Sequence, residues 1–473
     1  MRWRIGIAGR ASARGGRRSP VPLALLVVSG ALLVVVSPAY GGRTPTVYVS
    51  DLYGKSVTPI DVATGFADPA IEVGEDPVGV AVSPNGKTVY VTRLVGDSVT
   101  AIDVASGVVG PEIKVGEKPE GVAVAPNGET VYVTNAESGS VTPIDVATGV
   151  AGPEIEVGKD PIGLAVTPNG SKVYVANAGS GSVTPIDAAT DVAGPEIKVG
   201  KGPIGVAVTP NGRTVYVAND EGGSVTPIDV ATGVAGPEIK VEHPYGVAIT
   251  PDGKTVYVTN PASDSVTPID VATGVAGPEI KVGSFPFGVA VTPNGTAVYA
   301  ANYGSGSVTP IDVANGVAGA EIEVGDAPIG VAVTPISPTI TAAKVSNARF
   351  RAGRSSTALS ARRVPVGTSF RFSLDAVSTV RVAIKRELRG LRHGSRCFAP
   401  SRSLKRARAR HCTRTVAAGT LTRTKSQWGQ NSIPFSGRVG RRALAAGSYE
   451  AVLSATDPVG RSNTVTLHFA VVR

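Results

Sequence analysis

The chain has 473 residues, enough for two or three domains with full-sized cores. Aromatics make up only 5% while Gly and Pro number 58 and 36, which argues against long helices and for short Val-, Ile- and Ala-rich strands between many turns. The formal charge of +9 hides an acidic body between basic ends: residues 1–43 carry seven Arg and no acid, residues 44–335 carry 33 acids against 13 bases, and residues 336–473 carry 26 bases against four acids.

Arg2, Arg4, Arg10, Arg14, Arg17 and Arg18 form a positive start without an acid. Residues 21–36 are then an apolar run softened by Pro22, Ser29 and Gly30, and Ser37-Pro38-Ala39 supplies the small residues at −3 and −1 that a signal peptidase needs. A membrane-spanning helix takes about 20 apolar residues, and this run is shorter. Residues 1–39 are therefore read as a signal peptide, cleaved or retained as an anchor, and 40–45 as a linker. The mature chain is expected to have no transmembrane span and to be secreted or held at a bacterial cell surface.

Next comes a repeat. The tyrosine of a Val-Tyr pair recurs at Tyr48, Tyr90, Tyr132, Tyr174, Tyr216, Tyr257 and Tyr299, at intervals of 42 residues with one of 41. The aspartate of Ile-Asp (Asp61, Asp103, Asp145, Asp187, Asp229, Asp270, Asp312) keeps the same step. So does a proline before Gly-Val (Pro77, Pro119, Pro161, Pro203, Pro244, Pro286, Pro328). Each unit holds four short β-branched runs; in the third they are residues 130–135, 140–148, 154–157 and 163–167. Four strands per 40–45 residues is the β-propeller period, so residues 46–335 are expected to form a seven-bladed β-propeller. The first unit lacks its leading Gly-Val-Ala-Val run and the last unit ends on one. Residues 46–73 with 330–334 should therefore share a blade and latch the ring. Pro59, Pro143, Pro185, Pro227, Pro268 and Pro310 lie inside the second run, where a proline cannot donate to a central ladder. Either a bulge there or an outer strand that starts only beyond the proline is expected.

Tyr132-Val133-Thr134-Asn135 and Tyr257-Val258-Thr259-Asn260 resemble the name motif of YVTN-family β-propeller repeats, and the other units are variants of it. The resemblance covers about 290 residues. It implies the propeller fold and a setting among microbial surface-layer and secreted proteins, and leaves the ligand open.

Compared with one another, the units differ mainly in two loops, one after Val-Tyr-Val-x-x and one before Pro-x-Gly-Val. Both are expected around one mouth of the channel. There Glu75, Asp76, Lys118, Asp160, Asp220, Glu221, His243, Phe285 and Asp326 are candidates for a ligand face. Near-identical blades present rings of one residue, whereas catalysis needs an asymmetric set of groups. The repeats hold one histidine, His243, and no cysteine, so no catalytic residue, cofactor or metal is assigned. The expectation is a non-catalytic binding and structural protein. The alternative is an extracellular hydrolase or lyase, lactonase-like, with a metal gathered at the channel mouth by residues such as Asp76, Asp160, Asp220, Glu221 and Asp326.

Past a linker at 336–345, residues 346–473 alternate apolar and polar at Phe370, Phe372, Leu374, at Val380, Val382, Ile384, and at Val465, Leu467, Phe469, Val471. This predicts an antiparallel β-sandwich, and the stretch from Gly447 to Gly460 is similar to the last hairpin of bacterial immunoglobulin-like modules. Cys397 and Cys412, the only cysteines, are expected to pair in an oxidising compartment. Arg402, Lys405, Arg406, Arg408 and Arg410 between them are either a solvated loop or a contact for a polyanion: a cell-wall or envelope polymer, acidic glycans, or the propeller itself. Another surface protein is the remaining partner class. No nucleic-acid motif is present, and a monomer is expected.

Overall fold

A computed structural model describes residues 44–338, 340–352, 367–374, 378–406, 409–426, 429–457 and 461–472, with side chains not described at 406, 425 and 429. The signal-peptide segment and Arg408 lie outside the described residues, as does the side chain of Arg406. No helix among the described residues is long and apolar enough to cross a membrane.

The third repeat shows how the sequence makes a sheet. Strand Pro119–Val124 pairs with Thr130–Asn135, which pairs with Ser140–Asp145, and two short outer strands, Val150–Ala151 and Ile155–Glu156, complete it. Val131, Tyr132 and Val133 are consecutive yet all buried, because neighbouring sheets cover both faces. Tyr132 and Val141 pack with Leu164, Val173, Val175 and Ile186 of the following sheet, so each core lies between two repeats.

Among the described residues seven such sheets follow one another. The first and last repeats share one of them: Val47, Tyr48 and Val49 stand opposite Val333, Ala332 and Val331, and Thr46 N–H donates to Thr334 Oγ1 at 2.8 Å. The Gly of Pro-x-Gly lets the strands nearest the axis touch. A Cβ on Gly79 would come within 2.3 Å of the Glu120 carbonyl oxygen, one on Gly121 within 2.3 Å of that of Ile162, and one on Gly330 within 2.3 Å of that of Val78. The last repeat thus meets the first, and the ring is closed.

The prolines take neither expected form. Pro143 sits opposite Tyr132 in a regular ladder. The N and C=O of one extended residue point to the same side. The Pro143 carbonyl faces outward and accepts from Gly152 N–H at 2.7 Å, so the missing N–H also faces outward. There the outer strand is split in two, pairing on both sides of the proline and sparing it.

The repeated aspartates close turns. Asp145 Oδ1 accepts from the N–H and hydroxyl of Thr148, which holds its pKa below the ordinary range.

In the C-terminal region, strands Ile340–Val345, Thr368–Leu374 and Gly429–Phe435 form one sheet. Arg349–Arg351, Val465–Val472, Gly447–Thr456, Ser378–His393, Arg396–Phe398 and His411–Ser426 form another. Phe350, Phe370, Phe372, Val382, Ile384, Leu453 and Phe469 share one core contributed by both. Cys397 and Cys412 are disulfide-bonded. The bond crosses over Gly390, where a Cβ would lie 2.5 Å from Cys397 Sγ.

Candidate active site

One residue per repeat, between the proline and the glycine of Pro-x-Gly, stands on the strand nearest the axis or, for Tyr245, just before the strand Val247–Ile249. Round the ring these are Val78, Glu120, Ile162, Ile204, Tyr245, Phe287 and Ile329. Five are apolar, and Glu120 is the only carboxylate.

Glu120 is half-buried, and its pKa is pushed up to about 7. Burial is the main cause; the Asp160 charge adds to it and Lys118 pulls back. Tyr245 stands three repeats further round. Burial raises its phenol well above the ordinary range, and the negative charges of Glu120 and Asp220 raise it further. The Glu120 charge is thus felt at the Tyr245 phenol three repeats away.

Beside them runs a chain of rings. Tyr245 and Phe287 lie 4.6 Å apart between centroids, Phe287 and Tyr303 5.2 Å, and Tyr303 and Tyr53 6.3 Å. Tyr303 donates its hydroxyl to Tyr53 Oη at 3.1 Å, and burial followed by that contact pushes its pKa up to about 12. Tyr53 is largely exposed, so the chain of rings runs from the channel to solvent.

The nine loop residues expected as a ligand face have mostly local roles. Asp76, Lys118, Asp160, His243 and Phe285 hold one equivalent turn position, with φ between 43° and 55°, and Gly202 holds it in another repeat. The carbonyls of Asp76, Lys118, Asp160 and Phe285 accept from the N–H of Leu94, Ala136, Ala178 and Tyr303, so the two variable loops are bonded to each other. Glu75 pairs with Lys55 at 2.7 Å on the surface, and Lys118 pairs with Glu137. His243 Nδ1 lies 3.1 Å from Asp220 Oδ1. Glu221 packs beside Gly202, and the charge of Asp326 raises the pKa of both Asp51 and Tyr303. Among the described residues no three His, Cys, Asp or Glu side chains come together as metal ligands.

No protein-family model matches the chain, and no curated protein sequence does. Solved structures do. Hydrazine synthase of Kuenenia stuttgartiensis aligns at 28% identity and a TM-score of 0.51, over 55% of this chain and 90% of its own. The periplasmic gluconolactonase PpgL of Pseudomonas aeruginosa aligns at 18% and 0.54, over 62% and 99%. A candidate 6-phosphogluconolactonase of Bacteroides uniformis aligns at 18% and 0.54, over 62% and 100%.

The repeat region is a β-propeller.

Hydrazine synthase, the neighbour at 28% identity, carries the name of an enzyme, and it overturns the expectation of a non-catalytic binding and structural platform. The physical reason is visible in the channel. Near-identical blades imply rings of one residue, yet the position between Pro and Gly differs in kind, with a carboxylate and a phenol among Val, Ile and Phe. The units differ mainly in the variable loops, and Glu120 and Tyr245 each lie two residues beyond the last loop residue, Lys118 and His243. Comparing the seven copies at that single position is the signal that finds them.

Proposed function

We propose that the chain is an extracytoplasmic propeller enzyme that opens a small lactone or related ester by acid–base chemistry at Glu120. The observation that carries this reading is a single carboxylate with a pKa of about 7 in an otherwise apolar and aromatic ring. Such a group exchanges a proton readily near neutral pH, as a general base must.

In the proposed reaction Glu120 takes a proton from water, whose oxygen adds to the lactone carbonyl carbon. Tyr245, kept protonated by its raised pKa, donates a hydrogen bond to the carbonyl oxygen as that oxygen gains charge. The ring C–O bond then breaks, Glu120 returns its proton to the departing alkoxide, and a hydroxy acid leaves. Ile162, Ile204 and Ile329 keep the surroundings apolar, which strengthens both polar contacts. The names of the gluconolactonase-type neighbours support a lactone as the substrate class.

The same proposal takes the seven sheets as seven blades, the Tyr-Val-Thr-Asn motifs as YVTN-type repeats, and the C-terminal region as an immunoglobulin-like module. Export is supported by the disulfide and by the periplasmic setting named for the Pseudomonas aeruginosa neighbour.

The test is acid release from glucono-δ-lactone and from a panel of aliphatic lactones and esters, by the chain without its leader and by its E120Q variant. A loss of about a hundredfold in E120Q supports the reading. No turnover across the panel, or turnover indifferent to Glu120, overturns it.

A further inference from the structure

Positive charge in the C-terminal region is concentrated in one element. Residues 388–414 carry nine Lys and Arg and no Asp or Glu. Ser378–His393 pairs with His411–Ser426 as far as Leu391, whereas Gly447–Thr456 stops pairing with it at Arg386. The end of the hairpin therefore extends beyond the third strand. The Cys397–Cys412 bond ties that end together, and the short helix Arg402–Arg406 lies between the two cysteines.

Arg389, Arg392, Arg396, Arg402, Lys405 and Arg410 are all exposed on this tip. The carboxylates described near the hairpin are engaged elsewhere: Glu387 with His468 at 3.0 Å and Glu450 with Lys385 at 3.3 Å. Among the described residues none of the six cations takes part in an ion pair. Like charges crowded into a closed loop repel one another, and a bound anion relieves that cost.

The choice of cation narrows the anion. Residues 336–473 hold 22 Arg and four Lys, while residues 44–335 of the same chain hold two Arg and 11 Lys. A compositional bias of the whole gene would not reverse between domains. The planar fork of Arg matches two phosphate oxygens at once, which a Lys ammonium does not. The six exposed cations also sit on a strand, a short strand, a helix and the segment beyond it, so they suit a chain of anions rather than one.

We propose that this disulfide-closed tip binds a phosphodiester polymer of the polyol-phosphate kind found in cell envelopes. This binding is independent of the chemistry assigned to the channel.

The test uses the whole mature chain with purified poly(glycerol phosphate), at 50 and 300 mM salt. Affinity is expected to fall about tenfold or more between the two salts. Replacing the six cations with Gln should weaken binding about a hundredfold, and replacing the five Arg with Lys about tenfold, with the disulfide still formed by thiol titration. Unchanged binding in the Gln variant, full binding in the Lys variant, or equal affinity for poly-glutamate overturns the proposal. Tighter binding to duplex DNA overturns the envelope source. Self-association that the Gln variant abolishes, without any polymer binding, assigns the tip instead to the acidic propeller of a second copy and also overturns it.

Discussion

Thr92 Oγ1 donates to the main-chain carbonyl of Glu120 at 2.7 Å, from the neighbouring sheet. On the other side Gly121 N–H donates to Thr134 Oγ1 at 2.8 Å, and Thr134 donates onward to the Ile162 carbonyl at 2.6 Å. The backbone carrying the carboxylate is thus gripped by two hydroxyls, each the third residue of a Tyr-Val-Thr run. Where that run reads Tyr-Val-Ala or Tyr-Ala-Ala, at Ala176, Ala218 and Ala301, the hydroxyl is missing.

Thr92→Val keeps the shape of the side chain and removes its donor. We expect a stability loss of about 1 kcal/mol, since the Glu120 carbonyl loses a buried partner. As Thr92 acts through the placement of Glu120, kcat for lactone opening should fall about tenfold with KM little changed. Thr92→Ser should restore both. Loss of KM alone, or no rescue by Ser, would leave Thr92 a purely structural residue.

Glu120 makes activity and stability depend on pH in opposite senses. Its pKa in the fold, about 7, lies above the ordinary 4.5, so the fold disfavours the ionised form. Below about pH 4.5 the carboxyl is protonated whether folded or unfolded, and it costs nothing. The cost grows between 4.5 and 7 and is complete above 7. E120Q should therefore raise the melting temperature at pH 8 and leave it unchanged at pH 4. Wild-type turnover, which needs the ionised base, should rise through about pH 7 and then level. A rate profile flat across that range removes Glu120 from the proton transfer.

The closing seam holds a second carboxylate of this kind. Asp51 is wholly buried, and burial pushes its pKa to about 6 against hydrogen bonds from Thr58 and Ser56, with Asp326 adding to the rise. Asn135, Asn177, Asn219, Asn260 and Asn302 hold the equivalent place, each donating its amide to a Ser and a Thr hydroxyl. Asp51→Asn removes a charge that the fold disfavours above pH 6. It should stabilise the protein by about 2 kcal/mol at pH 8, and the gain should vanish as pH falls from 6 to below 3.8. Chemical denaturation at pH 8 and pH 3.5 measures both ends.

What the sequence made legible follows the same division between local and distant causes. The 42-residue step of Tyr48 to Tyr299 and the broken first unit led to the repeated sheets and to the pairing of Val47 with Val333, because pattern and phase are properties of the chain. The splitting of the outer strand beside Pro143 was not legible. It depends on which side of the strand the proline nitrogen faces, and that is set by the partner strands. Glu120 was hidden for a related reason. Its burial, and the reach of its charge to Tyr245, 125 positions further along the chain, arise only once the ring is closed.

Phe285 holds a left-handed turn, φ 51°, that Gly202 fills without strain in another repeat. A side chain there costs about 1–2 kcal/mol, and a bulky aromatic is rarely kept at such a site for the turn alone. Phe285→Gly should stabilise the propeller by about 1 kcal/mol. If the ring serves the channel mouth, the same variant should raise KM several-fold. Unfolding and initial-rate measurements on one preparation separate the two effects, and a gain in stability with KM unchanged marks Phe285 as strain without a role.

The disulfide offers a test confined to the C-terminal region, because the propeller has no cysteine. Cys397 and Cys412 are 15 residues apart, and closing such a loop restricts the unfolded chain by about 3 kcal/mol in the chain-entropy model. The bond also ties together a hairpin end that Gly447–Thr456 leaves uncovered beyond Arg386, where only the short strand Arg396–Phe398 pairs along that edge. Replacing both cysteines with Ser should lower the C-terminal unfolding transition and expose the tip to proteolysis near Arg402 and Lys405. The propeller transition and lactone opening should be untouched. Since the cations on the tip would then be spread over a mobile loop, affinity for poly(glycerol phosphate) should also fall, even though no charge has been removed.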